Sequence, residues 1–122
     1  MPILAIHHLS LLVADTERAL EFYRDLLGLP VIERPELGFP GAWLAIGDKQ
    51  LHLLELSNPD PQEGRPAHVG RDRHLALSVE GLEQLEGRLI EAGIPFSRSK
   101  SGRNAIFCRD PDGNGVELIA RS

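Results

Sequence analysis

Three of the five histidines and one glutamate stand at matching places in the two halves of the chain. His8 and His74 each open a segment of alternating apolar residues, and the interval from His8 to His52 almost equals that from His74 to Glu117. A lone histidine on a strand is more often a hydrogen-bonded core residue, but this matched set favours a metal site. We predict one divalent ion per chain, with zinc, nickel, cobalt, manganese and iron all compatible with three imidazoles and a carboxylate.

A six-coordinate ion held by these four side chains keeps two adjacent positions for neighbouring oxygens of one small substrate. The ion then acts as a Lewis acid, which favours removal of a proton from the carbon beside a carbonyl group. Glu117 is the candidate catalytic base if it loosens from the metal. The alternative, that Glu117 is a permanent ligand only, has equal weight.

The elements that must position these residues occur as two copies of one pattern. Residues 6–13 and 73–79 alternate between apolar and polar side chains, which predicts the first strand of each copy. Apolar residues at helical spacing follow in each copy and end at Gly28 and Gly93. Further strands are predicted at residues 31–34, 42–46, 50–56, 96–98, 105–109 and 115–120. The expected fold is α+β, with two βαβββ modules that each form a curved mixed sheet backed by one helix.

The chain is expected to form one domain over residues 1–122. Its parts are module 1 at residues 3–57, a linker rich in proline and glycine at residues 58–72, and module 2 at residues 73–122. Because such modules can pair within one chain or across two chains, we expect a homodimer without preferring either pairing.

The composition disfavours several classes of protein. A net charge of −5 over 122 residues, with no run of basic residues, argues against a nucleic-acid partner. The apolar run at residues 3–6 is too short for a secretion signal or a membrane span. The single cysteine, Cys108, favours a reducing compartment and is expected to fill space in a strand. We expect a cytoplasmic protein whose partner is a small-molecule substrate, with no role for a membrane.

Two aromatic residues and two arginines are candidates for substrate contacts. These candidates are Trp43, Phe107, Arg73 and Arg103. The aromatic pair is equally explained by core packing, and the arginines either hold a carboxylate or phosphate or remain solvated on the surface. Of the remaining histidines, His7 is expected on the face opposite to His8, and His68 is expected to be solvated in the linker.

Four segments resemble the vicinal oxygen chelate superfamily, which includes glyoxalase I, fosfomycin-modifying enzymes, extradiol dioxygenases, methylmalonyl-CoA epimerase and bleomycin-binding proteins. The segments are I-x-H-L-x-L-x-V-A-D near the N-terminus, F-Y-R-D-L-L-G-L at residues 22–29, R-H-L-A-L-S-V at residues 73–79 and R-D-P-D-G-N-G-V-E-L-I at residues 109–119. The resemblance implies the same ligands that the repeat indicates, namely His8, His52, His74 and Glu117. Glyoxalase I usually has a carboxylate or amide where this chain has His52.

The resemblance implies a metal-dependent enzyme of glyoxalase I type, that is, a lyase, isomerase or epimerase. One alternative is an extradiol-type dioxygenase, and the other is a non-catalytic protein that binds an antibiotic or another small molecule. A fourth protein ligand argues against the oxygenase, because oxygen activation usually needs two histidines, one carboxylate and three open positions. Bleomycin-binding relatives lack the ligands, so the complete set argues against simple binding.

Overall fold

A computed structural model describes residues 2–121 and separates two compact units, with the division between Pro59 and Asp60. Each unit contains a four-stranded mixed sheet and a helical segment after its first strand. This arrangement confirms the predicted α+β fold of two βαβββ modules. Most of the predicted linker belongs to the second unit, which begins at Asp60.

The first unit contains four strands and one helical segment in the predicted order. Its elements are β1 (His8–Val13), α1 (Thr16–Leu20) continued by a π-helical segment (Glu21–Leu26), β2 (Val31–Ile32), β3 (Gly41–Ile46) and β4 (Lys49–Glu55). The strands lie in the order β1-β4-β3-β2. β1 is parallel to β4, and the other neighbours are antiparallel.

The helical segment of the first unit departs from a regular α-helix. The side chain of Asp15 caps its N-terminus by accepting a hydrogen bond from the backbone N–H of Arg18, at 3.0 Å. The second half then widens into π-helical turns, where the successive residues Phe22 and Tyr23 are both buried. The segment ends before Gly28, whose φ of 83° is readily adopted only by glycine.

The second unit repeats this topology. Its elements are a 3-10 turn (Val69–Arg71), β5 (His74–Val79), α2 (Leu82–Glu91), β6 (Ser97–Arg98), β7 (Ala105–Arg109) and β8 (Gly115–Ala120). The strand order β5-β8-β7-β6 corresponds to that of the first sheet, again with one parallel pair, β5 with β8. Helix α2 buries Leu82, Leu85 and Leu89, the stripe that the helical spacing predicts. In the part of the chain that the structure describes, no helix is long and apolar enough to cross a membrane.

The two sides of the first sheet have different roles. Alternate residues such as Leu51 and Leu53 are fully buried on the helix side. On that side Glu55 also accepts hydrogen bonds from the backbone N–H and the hydroxyl of Thr16, the first residue of α1. On β4 the residues between Leu51, Leu53 and Glu55 face the other side of the sheet. We call the side of the first sheet that carries His52 and its cross-strand neighbours the site face.

Candidate metal centre

His8 and His52 form a stacked pair of imidazoles on the site face. Their ring centroids are 4.1 Å apart and their planes differ by 19°. Trp43 lies directly opposite His52 in the β3–β4 ladder and stacks on the same ring, with centroids 4.1 Å apart and planes within 4°. Because β4 lies between β1 and β3, the ring of His52 is packed between His8 and Trp43.

Hydrogen bonds orient both imidazoles of this pair. Nε2 of His52 lies 2.8 Å from Oε1 of Gln50, and since an amide oxygen only accepts, Nε2 donates and Nδ1 carries the lone pair. Nδ1 of His8 lies 2.9 Å from Nδ1 of His7. The prediction that His7 points away from His8 is wrong, because His7 precedes the first residue of β1 and does not follow strand alternation. Gln50, two residues before His52 on β4, was not among the predicted site residues, although strand alternation places it on the same face.

The environment of His52 favours its neutral form. Burial lowers the pKa of His52 below the usual value of an imidazole, and electrostatic interactions with His8, His7 and Arg34 lower it further. A metal is bound by the neutral imidazole rather than by the imidazolium. The first unit therefore keeps His52 in the form that ligates a metal.

His74 and Glu117 form a second pair, on the sheet of the second unit. Nδ1 of His74 lies 2.8 Å from the carbonyl oxygen of Asp72, to which it donates. Nε2 of a neutral His74 then carries a lone pair, and it faces Oε1 of Glu117 at 3.1 Å. Two lone pairs at that distance need a proton between them, on the ring or on the carboxyl group, or a metal ion.

The geometry and burial of this second pair fit a bound metal. Two ligands at right angles on an ion, each about 2.1 Å from it, lie roughly 3.0 Å apart. Glu117 is only 3% exposed, and its second oxygen, Oε2, has no hydrogen-bond partner among the described residues. Buried carboxylate oxygens are rarely left without a donor or a cation. This unsatisfied oxygen is therefore a specific reason to place a metal beside Glu117.

The two pairs occupy the same register in their sheets. His52 lies opposite Ser10 in the parallel β1–β4 ladder, and Glu117 lies opposite Ala76 in the parallel β5–β8 ladder. Ser10 and Ala76 are each two residues after the histidine that begins the strand, so the equivalence predicted from spacing holds position by position. Among residues 2–121, no three His, Cys, Asp or Glu side chains form a cluster, and what the structure brings together are pairs. The four-ligand site remains a prediction.

Asp72 holds a charged network next to His74. Its carboxylate pairs with Arg65 and with Arg109, the latter at 3.0 Å. Arg65 is the main cause of a strongly lowered pKa of Asp72, with a further contribution from Arg109. The other guanidinium nitrogen of Arg109 donates to the carbonyl oxygen of Pro66 at 2.7 Å. The network fixes the backbone that orients His74, and the spacing of the histidines alone did not indicate it.

The aromatic candidates lie beside the two pairs. Phe107 is directly opposite Glu117 in the β7–β8 ladder, as Trp43 is opposite His52. The ring of Phe107 meets that of His74 edge-on, with centroids 5.6 Å apart. The sequence predicted both aromatic residues as candidates, and the structure places them at equivalent positions of the repeat.

The arginine candidates have other partners. Arg73 forms an ion pair with Asp60 at 2.6 Å, and the Nε of Arg103 donates to the hydroxyl of Ser101 at 3.3 Å. In the described part of the chain neither arginine contacts a predicted ligand. His68 is not simply solvated as predicted, because its Nδ1 accepts a hydrogen bond from the backbone of the 3-10 turn and its ring approaches Phe107.

Cys108 belongs to the hydrophobic interior rather than to the site. It lies opposite Val116 in the β7–β8 ladder and is buried on the side opposite to Glu117. Burial, together with the charge of Asp110, raises the pKa of its thiol to about 12. The thiol therefore stays protonated at neutral pH, as expected for a residue that fills space.

Comparison with known proteins identifies relatives across nearly the whole chain. The sequence model of the Glyoxalase/Bleomycin resistance protein/Dioxygenase superfamily matches residues 5–118. "Glyoxylase I 4" from Arabidopsis thaliana is 32% identical over 120 residues, which cover 93% of this chain and 69% of that relative. "Glutathione transferase FosA" from Serratia marcescens is 32% identical over 117 residues, which cover 93% of this chain and 79% of that relative.

A solved structure shows the same fold. The crystal structure of a glyoxalase family protein from Bacillus anthracis matches with a TM-score of 0.78 at 23% identity, and the match covers 98% of this chain and 97% of that one. At this level of identity the similarity concerns the fold alone.

Proposed function

Because the chain belongs to the Glyoxalase/Bleomycin resistance protein/Dioxygenase superfamily, we propose that it is a metal-dependent lyase, isomerase or epimerase. Its substrate is a small molecule that chelates the metal through two vicinal oxygens. The observation that carries this proposal is the second pair. Nε2 of His74 faces Oε1 of Glu117 at 3.1 Å, while the buried Oε2 of Glu117 has no partner among residues 2–121. The similarity to "Glyoxylase I 4" supports the same class of reaction.

The proposed ligands of one divalent ion per chain are His8, His52, His74 and Glu117. The chemistry of both pairs supports this set, since the surroundings of His52 favour its neutral form and one oxygen of the buried Glu117 carboxylate has no hydrogen-bond partner among the described residues. Homodimer formation is part of the proposal. The His8–His52 pair and the His74–Glu117 pair of one metal site then come either from one chain or from the two chains of the dimer.

A metal bound there would polarise a carbonyl oxygen of the substrate and stabilise the negative charge that develops on it. Glu117 is the proposed base, because one of its oxygens faces His74 and the other is free to accept a proton from carbon. His74 keeps its lone pair directed at the site because its other ring nitrogen donates to the carbonyl oxygen of Asp72. Trp43 and Phe107, each beside a ligand, would exclude water from the reacting atoms.

Metal analysis is the first test. Protein purified without added metal is analysed for first-row metals, together with the variants His8→Ala, His74→Ala and Glu117→Ala. We expect about one ion per chain in the wild type, loss of metal in the His74 and Glu117 variants, and weaker binding after His52→Ala. If the three alanine variants keep the full metal content of the wild type, the proposed ligand set is wrong.

The second test separates the proposed reaction class from oxygenation. Zinc-loaded protein under nitrogen and iron-loaded protein in air are compared on one panel of α-keto aldehydes, with and without a thiol. A reaction that only moves protons or adds a thiol needs no redox-active ion, so turnover with zinc under nitrogen is expected. Turnover that requires both iron and oxygen would replace the lyase or isomerase proposal with an oxygenase.

A further inference from the structure

Two buried N–H donors on the first sheet have no acceptor. Nε1 of Trp43 and Nε of Arg34 are both inaccessible to solvent and lack a hydrogen-bond partner among the described residues. Native proteins rarely leave buried donors unpaired, and exceptions call for a specific explanation. A ligand that supplies the acceptor is one such explanation.

Both donors lie on the site face. Trp43 lies opposite His52 in the β3–β4 ladder and is therefore on the site face. Arg34 lies beyond the end of β2 (Val31–Ile32), so its contacts rather than strand alternation place its side chain. Gly41, two residues before Trp43 on β3, is one of these contacts. A Cβ added to Gly41 would lie 3.2 Å from Nη2 and 3.3 Å from Nε of Arg34. The guanidinium therefore occupies the space above Gly41, on the side that carries His52.

Arg34 is held in place without a counter-ion. Its Nη2 donates to the carbonyl oxygen of Phe39 at 2.7 Å, and its guanidinium carbon lies 5.0 Å from the centroid of the Phe39 ring. No carboxylate among residues 2–121 forms an ion pair with it. Its charge reaches His52, because it is one of the positive groups that lower the pKa of that imidazole. A positive charge is thus held near the site face, and its Nε–H has no acceptor among residues 2–121.

We propose that Arg34 and Trp43 form a subsite for a carboxylate group of the substrate, separate from the two oxygens that chelate the metal. A carboxylate matches the subsite because it brings a negative charge and two acceptor oxygens to one positive charge and two N–H donors. This inference rests on the proposed function and adds a substrate class to it. Because the Arg34 guanidinium lies near Gly41 of β3, the strand next to the β4 that carries His52, we expect the carboxylate to be joined to the chelating group by a short carbon chain.

A matched pair of inhibitors tests the subsite in the metal-loaded protein. Butyrohydroxamate and succinic monohydroxamate have the same chelating group and nearly the same size, and they differ in a terminal methyl group against a carboxylate. Binding is measured by calorimetry. We expect the carboxylated compound to bind the wild type at least 10-fold more tightly. Arg34→Gln should remove this preference, and Trp43→Phe, which keeps an aromatic ring beside His52 but lacks the N–H donor, should reduce it.

The controls separate the subsite from the metal site. The measure in each variant is the ratio of the two hydroxamate affinities, so any change in the metal site that affects both compounds equally cancels. Arg121→Gln, at an exposed arginine that pairs with Glu80, should keep the full preference for the carboxylate. Equal binding of the two hydroxamates by the wild type, or a preference that survives Arg34→Gln, would overturn the inference. A third arm titrates succinate into metal-free protein. Binding there that depends on Arg34, in a chain that takes up no metal, would leave the subsite standing and refute the proposed function alone.

Discussion

Replacing Glu117 with glutamine should change the stability of the protein in opposite directions with and without metal. In metal-free protein, one oxygen of the buried Glu117 carboxylate lies 3.1 Å from Nε2 of His74. The other oxygen is buried and has no partner among the described residues. Glu117→Gln removes the buried charge, and its amide group can either donate a hydrogen bond to Nε2 of His74 or accept one from it. We expect the metal-free variant to be more stable than the wild type.

The magnitude follows from the unsatisfied group. A buried polar atom without a partner costs about 1–3 kcal/mol, and more if it is charged. With incomplete relaxation around the new amide, a gain of about 1–2 kcal/mol in the free energy of unfolding is expected. For a chain of this size that corresponds to roughly 3–8 °C in Tm. Urea unfolding in the presence of a chelator measures it, and Glu63→Gln, an exposed carboxylate, is the control that should change stability by less than about 0.5 kcal/mol.

Added metal should reverse the order. At 100 times its dissociation constant a metal stabilises the wild type by about 2.7 kcal/mol. The variant has lost the charged oxygen of its ligand and should gain far less. The reasoning is refuted if metal-free Glu117→Gln is less stable than the wild type by about 1 kcal/mol or more, because the carboxylate would then be stabilised within the protein itself.

Three further predictions concern single residues. Because the pKa of His52 is lowered in the folded protein, the unfolded chain takes up a proton near pH 6.5, at a pH where folded His52 stays neutral. The free energy of unfolding should therefore fall as the pH decreases from 6.5 towards the lowered pKa. Urea unfolding between pH 8 and 5 should show this loss in the wild type and less of it in His52→Gln. Asp72→Asn should weaken metal binding by roughly 10–100-fold, because the network that orients His74 is disturbed; unchanged affinity by calorimetry would contradict this. Cys108 should resist thiol reagents at pH 8 in the folded protein, since its thiol has a pKa of about 12, and become reactive in denaturant.

The alternation and spacing of the residues determined most of the fold. Strands β7 (Ala105–Arg109) and β8 (Gly115–Ala120) begin and end where alternation and the adjacent turns predict. The buried stripe of α2 was also predicted from the sequence, because the apolar face of a helix has to be buried. The equivalence of His52 and Glu117 was predicted as well, because residues at the same interval in two copies of one module occupy the same position in their sheets.

Some local features did not follow from periodicity. The π-helical turns after α1 depend on how Phe22 and Tyr23 pack, and the contact of His7 with His8 depends on where β1 begins. Periodicity assigns a residue to a face only inside a regular element. At the ends of elements, packing decides the direction of each side chain.

Only the tertiary structure decided which distant polar groups meet and which are left without a partner. Asp72 joins Arg65 and Arg109 because the segment after Pro59 folds onto its own sheet, and no interval in the sequence encodes that contact. The unsatisfied donors of Arg34 and Trp43 are likewise invisible in the sequence, which shows that a donor exists but not whether an acceptor reaches it. Hydrogen-bond satisfaction depends on fractions of an ångström between side chains from separate strands. The pattern of residues therefore determined the modules and predicted a set of ligands, whereas the ion pairs and the unsatisfied donors became visible only in the tertiary structure.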